Sequence, residues 1–383
     1  GTLHLEMRGL AFDFRRADTV SGSDFFPRGR PDAPYTYRAP VAGDDGWPVG
    51  TAESVGFSRE RLEQFVRGVI ATPMDGVSAP EVHAVLVARH GTVVFEEYFH
   101  GATRDQAHDT RSAAKSMGSL LMGAAMARGL PLDTNTRVYE AMRAMAPPGP
   151  RDARQSALML KHLLTMSSGL DCDDRDGDSP GNEDVVTDQD APPDWWAVTL
   201  GLKMIREPGA QAVYCSVNPH LAGGVLRAVA HRPLVGMLDE FVAQPMGIRR
   251  YWLNLSPSND LYLGGGMRFL PRDFLKLGQL VLDGGTWRGQ RVATPEWMKR
   301  STAPLVQLRT LRYGYLWWSI EYPFAGRTLR ATFAGGNGGQ LVMAIPELDL
   351  VVLIYAGNYS DPVMYQLQER LVPEQLLPAL VRP

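Results

Sequence analysis

Strand-forming text stands at both ends of this chain and helix-forming text between them, so any sheet it builds must join segments far apart in sequence. EVHAVLVARHGTVVFEEYFHG holds two β-rich runs, roughly 82 to 89 and 92 to 99, separated by His90 and Gly91, which predicts a hairpin. Toward the other end YLWWSI, LRATFAGG, GQLVMAI and DLVVLIYAG predict four successive strands, followed by a helix from Pro362 to Leu371. The expected fold class is α/β in the α+β sense: an antiparallel β-sheet flanked by helices, with a mostly helical inserted lobe. One domain is expected over residues 57–383, its sheet-rich lobe formed by 57–129 and 300–383 and its mainly helical lobe by 130–299. Residues 1–56, with short strands over 3 to 16 and many Gly, Pro and Asp afterwards, are expected to form an extended arm on that body.

Among the predicted helices, Ser58 precedes Arg59 to Ile70, and Pro271 opens one that runs to Leu282. A third is more informative. DTRSAAKSMGSLLMGAAMARG predicts a helix over 111–128, with Thr110 as N-cap and Gly129 at a left-handed C-terminal cap. Met117, Leu120, Leu121, Ala124 and Ala125 mark its apolar face, and Gly118, Gly123 and the alanines let neighbours approach closely. Ser112 and Lys115 are three residues apart, so they lean over one patch of that helix. A lysine beside an apolar face loses hydration, which lowers its pKa and frees a neutral amine to accept a proton. The plain alternative is a surface lysine beside a helix-start serine. His162, among leucines in ALMLKHLLTMSSGLD, reads as a packing or capping residue.

The 383 residues carry 39 basic and 42 acidic side chains, a net charge of -3, so no nucleic-acid partner is expected. No apolar run reaches the length of a transmembrane helix. The opening GTLHLEMRGLAFDFRR lacks a basic leader with an apolar core, so no signal peptide is expected there; because the chain starts at Gly1, a trimmed start fits as well, and the compartment stays open between periplasmic or secreted and cytoplasmic. Glycine-rich LYLGGGM matches no nucleotide-binding fingerprint. Residues 171–194 hold ten Asp or Glu without the spacing of a calcium loop; they read as a solvated loop or as an acidic rim over a pocket. Neither a metal nor an organic cofactor is called for. Oligomeric state is left open.

Ser112-Ala113-Ala114-Lys115, Tyr214-Cys215-Ser216 and Ala334-Gly335-Gly336, in that order, resemble the serine β-lactamase and penicillin-binding-protein superfamily. The likeness is greatest to its class C-related branch of carboxylesterases, D-aminopeptidases and 6-aminohexanoate-dimer hydrolases, and it runs from about Trp47 to the C-terminus. It implies a β-lactamase/transpeptidase-like fold. It also implies an acyl-enzyme formed on Ser112, with Lys115 and Tyr214 handling the proton and the backbone N–H groups of Ser112 and Asn337 forming an oxyanion hole. Ser216 takes the last position of the Tyr-x-Asn motif. Where relatives that hold a carboxylate carry Lys or His, then Thr or Ser, then Gly, this chain has Ala334, Gly335 and Gly336. Two direct handles for a carboxylate are therefore missing, and efficient β-lactamase activity is not expected. The implied function is a serine hydrolase acting on small esters or linear amides. The alternatives are a D-aminopeptidase or DD-peptidase-like cell-wall enzyme and a noncatalytic binding protein retaining the fold. Cys215 reads as a buried small hydrophobe; a bond to Cys172 would instead tie the acidic loop to the Tyr214 segment.

Overall fold

Eight antiparallel strands from the two strand-rich ends of the chain form the main sheet. The structure, a computed structural model, describes residues 2–7, 10–15, 34–72, 78–149, 152–188 and 194–381. Strands β1 (Val82–Arg89) and β2 (Thr92–Tyr98) form the first hairpin. The later strands are β3 (Val306–Leu308), β4 (Leu311–Tyr313), β5 (Trp318–Phe324), β6 (Arg327–Gly336), β7 (Gln340–Ile345) and β8 (Leu350–Ala356). Their order is β3-β4-β5-β6-β7-β8-β1-β2, and β8 pairs with β1 so that Val352 lies opposite Val87 and Leu353 opposite Leu86. That pairing closes the two ends of the chain on each other.

Both faces of the sheet are covered, which is why β7 and β8 are buried along their whole length and read as continuous apolar runs. Alternate residues divide between two cores. Leu86, Val342, Val351 and Leu353 face the serine-bearing helix and the inserted helices, while Val87, Met343, Val352 and Ile354 face helix α1 (Arg59–Ile70) and the C-terminal helical segment. Ser58 caps α1 through Arg61 N–H at 3.3 Å, and α1 turns Leu62, Phe65, Val66 and Val69 inward.

The central helix departs from expectation at its start. Arg111–Ala114 is a 3-10 turn, and α2 proper spans Lys115–Ala127. Thr110 does not cap it; its hydroxyl donates instead to Met267 O at 2.7 Å, since a side chain held by the neighbouring segment cannot also reach the helix amides. In the tighter turn, residues three apart eclipse, so Ser112 stands almost directly over Lys115. The other end is as expected: Gly129 has φ +75°, its N–H reaches Met126 O, and Leu130 N–H reaches Ala125 O, a Schellman ending. A methyl group on Gly123 would lie 2.1 Å from Trp297 Cδ1, and that indole is held by Ser119 O. Gly123→Ala is therefore expected to cost about 1–3 kcal/mol of stability, read as a lower Tm; an unchanged Tm would mean that the indole can swing away.

Helix α3 spans Val217–Ala230, and α4 (Pro271–Leu282) matches its predicted span. The β3–β4 hairpin escaped sequence reading because three residues are too few to show a period. The C-terminal helix also differs: a short α-turn at Met364–Gln366 passes into wider π-type turns over Leu367–Leu376, a segment containing Pro373, which has no N–H to give a regular ladder. Thr2–Met7 and Leu10–Arg15 pair antiparallel with each other as a separate two-stranded sheet. Of the expected arm, residues 1, 8, 9 and 16–33 lie outside the described residues; residues 34–50 run beside β2, with Tyr37 Oη donating to Val94 O at 2.7 Å and Gly50 N–H to Val93 O at 3.1 Å. Arg272 of α4 fastens this segment by bonding Val41 O, Asp45 and Glu96.

Candidate active site

Lys115 is the hub. Its side chain is fully buried, and Nζ donates to Ser112 Oγ at 2.9 Å, to Ser216 Oγ at 2.9 Å and to Gly264 O. An ammonium has three N–H donors, so this one is fully satisfied. Ser112 and Lys115 come from the 3-10 turn and the first residue of α2, Ser216 from the residue before α3, and Gly264 from the triglycine turn before α4. Burial opposes the Lys115 charge, but Tyr214, Glu183 and Asp174 more than offset it and hold its pKa above the ordinary lysine value. This corrects the expectation of a depressed lysine: the apolar face is real, but the acidic groups facing Nζ are absent from α2 and invisible from its sequence.

Tyr214 is half-buried, with Lys115 Nζ 5.1 Å and Arg309 Cζ 4.9 Å from its ring centroid and Trp318 stacked on it at 5.8 Å. Trp318 is the tryptophan that touches this tyrosine among the described ring contacts; its neighbour Trp317 is buried in the core, as are Trp195 and Trp196.

On the opposite side of Ser112, β6 ends at Gly336. A Cβ there would lie 2.4 Å from Thr110 O, 2.9 Å from Ala113 N and 3.2 Å from Ser112 N, so only glycine lets the strand come this close to the serine turn. Gly265, at φ +153°, approaches the same turn from the triglycine side. Neither Ser112 N–H nor Asn337 N–H donates to any group among the described residues, whereas the Asn337 side chain is engaged with Ser360. Ala334 is fully buried beneath the site, and Gly335 lies on the other face of β6, its Cβ position 3.0 Å from Phe333. Thus Ser112, Lys115, Tyr214, Ser216 and Gly336 converge, while Ala334 and Gly335 serve as backbone and floor.

The acidic segment divides in two. Asp173 and Asp176 cap turns through Arg175 and Asp178 N–H groups, and residues 175–178 are exposed. Asp174 and Glu183 turn inward. One oxygen of Asp174 accepts both the N–H and the hydroxyl of Ser216 at 2.8 Å, its other oxygen accepts Glu183 N–H at 3.1 Å, and Glu183 accepts the buried Tyr262 hydroxyl at 2.8 Å. Burial raises the Asp174 pKa, with Lys115 opposing and Glu183 adding to the rise. These two acids, Tyr262 and Gly264 were not singled out from sequence; the cysteines two residues before Asp174 and one before Ser216 were the available signal.

Cys172 and Cys215 are joined as a disulfide, with Cα atoms 5.8 Å apart. Among the described residues the one His/Cys/Asp/Glu group close enough for a metal is Cys172, Asp174 and Cys215, and its sulfurs are bonded to each other. The bridge closes a loop of 43 residues, so its removal by Cys172→Ser with Cys215→Ser is expected to cost about 2–4 kcal/mol; equal unfolding midpoints for both proteins in denaturant would refute this. His162 accepts Met159 N–H at 3.2 Å as part of a helix cap, and burial holds its pKa at about 4, in keeping with the capping role.

This architecture is shared. The β-lactamase family profile matches residues 66–372. A Bacillus anthracis protein assigned as a 6-aminohexanoate-dimer hydrolase is 16% identical, with 76% of this chain and 78% of that one covered and a TM-score of 0.63. A penicillin-binding protein homologue from Caulobacter crescentus is 17% identical over 89% of this chain and 99% of its own, with a TM-score of 0.63. A family VIII carboxylesterase is 19% identical over 76% and 91%, with a TM-score of 0.58. At such identities these likenesses establish the fold, an antiparallel sheet with flanking helices around an inserted lobe. With a family match spanning most of its length, the chain belongs to the β-lactamase family of hydrolases.

Proposed function

We propose that this protein is a serine hydrolase that forms an acyl-enzyme on Ser112 and acts on small esters or linear amides. The observation that carries this reading is the 2.9 Å contact from Lys115 Nζ to Ser112 Oγ, inside a buried hydrogen-bonded group. Ser112 Oγ attacks the substrate carbonyl carbon and its proton passes into the Lys115/Tyr214 pair. For this step the pair must begin one proton short; because Lys115 as an ammonium already donates to Oγ, the atom that takes the serine proton is Tyr214 Oη in its deprotonated form. The carbonyl oxygen, now negative, is held by the free N–H groups of Ser112 and Asn337. Tyr214 then protonates the leaving alkoxide or amine, and water hydrolyses the ester on Ser112 by the reverse sequence of proton transfers.

Ala334 and Gly335 offer neither a cation nor a hydroxyl, which favours neutral esters and amides over carboxylate-anchored β-lactams. A cavity of about 800 Å³ lined by Asp105, Asp109, Arg111, Trp252 and Arg268 opens beside the residue preceding Ser112, and Ser112, Lys115 and Tyr214 are not among its lining residues. The family VIII carboxylesterase and the dimer hydrolase homologue are in line with this substrate range. The test is a fluorophosphonate probe followed by intact mass and peptide mapping: one adduct on Ser112 is expected, and a protein left unmodified, or labelled elsewhere in the chain, would sink the reading. A panel of short esters, linear amides, D-aminoacyl peptides and cephalosporins then ranks substrates, with the cephalosporins expected last.

A further inference from the structure

We propose that Asp174 is a positioning residue for this reaction: by accepting the N–H and O–H of Ser216, it turns that hydroxyl oxygen toward Lys115 and so holds an ammonium whose remaining donor is aimed at Ser112. This rests on the serine hydrolase reading and deepens it. The serine hydroxyl has one proton, and it is committed to Asp174 Oδ2 at 2.8 Å. What Ser216 presents to Lys115 Nζ, 2.9 Å away, is therefore a lone pair. A lone pair accepts from an ammonium; a free hydroxyl could equally donate to a neutral amine. Asp174 removes that second arrangement, and the hydrogen bonds run one way, from Lys115 through Ser216 to Asp174. The groups facing this carboxylate are Lys115 from α2, Ser216 from the segment before α3, and Glu183 with Tyr262 behind it, while Tyr214 faces Lys115.

The Asp174 segment is itself held from three sides. Asp174 N–H donates to Tyr214 O at 3.1 Å, Glu183 N–H donates to Oδ1, and the Cys172–Cys215 bridge joins the two segments next to these residues. The segment whose sequence reads as a solvated loop or an acidic rim thus turns one carboxylate toward Ser216 and Lys115. Lys115 stays charged through neutral pH partly because Asp174 and Glu183 face it, so removing one of these charges lowers the pH at which it loses its proton.

The experiment follows the rate of fluorophosphonate labelling at Ser112 against pH for the full-length wild type, Asp174→Asn, Ser216→Ala and the double variant. Asp174→Asn is expected to label about tenfold more slowly at neutral pH and to lose activity on the alkaline side about one pH unit earlier than the wild type. Ser216→Ala is expected to move the alkaline limb in the same direction, and the double variant to be no slower than the slower single, because both substitutions cut one path. A purely structural Asp174 would lower Tm and leave the alkaline limb in place; that result, or additive effects in the double variant, overturns the proposal. If Asp174→Asn does not fold, Ser216→Ala decides alone through its own limb. Wild-type labelling separates the two readings: with Ser112 labelled and the limb unmoved, only the role of Asp174 falls, and with Ser112 unlabelled, the hydrolase reading falls with it.

Discussion

Ser112→Ala is expected to lower kcat/KM for p-nitrophenyl acetate by at least about 10³-fold while leaving Tm nearly unchanged. The large effect follows from chemistry: without Oγ there is no covalent acyl intermediate, and whatever remains must come from the free N–H groups and from substrate positioning. The small effect on stability follows from location. Ser112 is partly exposed, and the alanine that replaces it keeps the 3-10 turn; the bond lost is one of three made by Lys115, whose other acceptors Ser216 and Gly264 remain. Steady-state kinetics and thermal unfolding of the purified variant check both halves. Activity retained within a few-fold would move the nucleophile elsewhere, and a collapse in Tm would make the kinetic loss uninformative about chemistry.

Lys115→Met is expected to reduce kcat by about 10²–10⁴-fold and, unlike Ser112→Ala, to destabilise the fold as well. Methionine fills the same shape but leaves Gly264 O without its donor and Asp174 and Glu183 without the cation that faces them. The remaining carboxyl groups are then expected to take up protons more readily, so the variant should gain stability as pH falls, where the wild type gains less. The wild-type lysine contributes with the same sign but in a higher pH window: Lys115 is held above the ordinary lysine value of 10.5, so its contribution is complete below that value and is lost only as pH rises through the higher folded value. Unfolding midpoints measured from acidic to neutral pH for both proteins test this, and parallel pH profiles would show that the lysine charge does not balance these acids.

Much of the frame was legible in the chain. The predicted β1–β2 hairpin and the spans of β6 to β8 match the sheet because burial on both faces leaves apolar runs between turns, whereas β5 starts three residues into its predicted run and extends to Phe324; the Pro271–Leu282 span matches because proline marks a first turn. Gly129 was readable as a cap because a positive φ selects glycine. Less was legible where a segment answers to its neighbours: Thr110 is drawn away from the helix by Met267 O, and β3 and β4 exist as edge pairs too short to carry a pattern.

The same division runs through the site. By itself the sequence determined which side chains could do chemistry, since Ser112 and Lys115 are bound to one helix face by covalent spacing, and it determined where the carboxylate handles are missing, at Ala334 and Gly335. Only the tertiary structure decided the protonation of that pair. A lysine on an apolar helix loses hydration and should be neutral; whether it stays charged depends on groups that arrive from other segments, and here Asp174, Glu183 and Tyr214 come from a loop and a helix entry far along the chain. Electrostatic energy acts through space over a few ångströms, whereas sequence records only neighbours along the backbone, so the charge on Lys115 became readable once the fold had brought its partners to it.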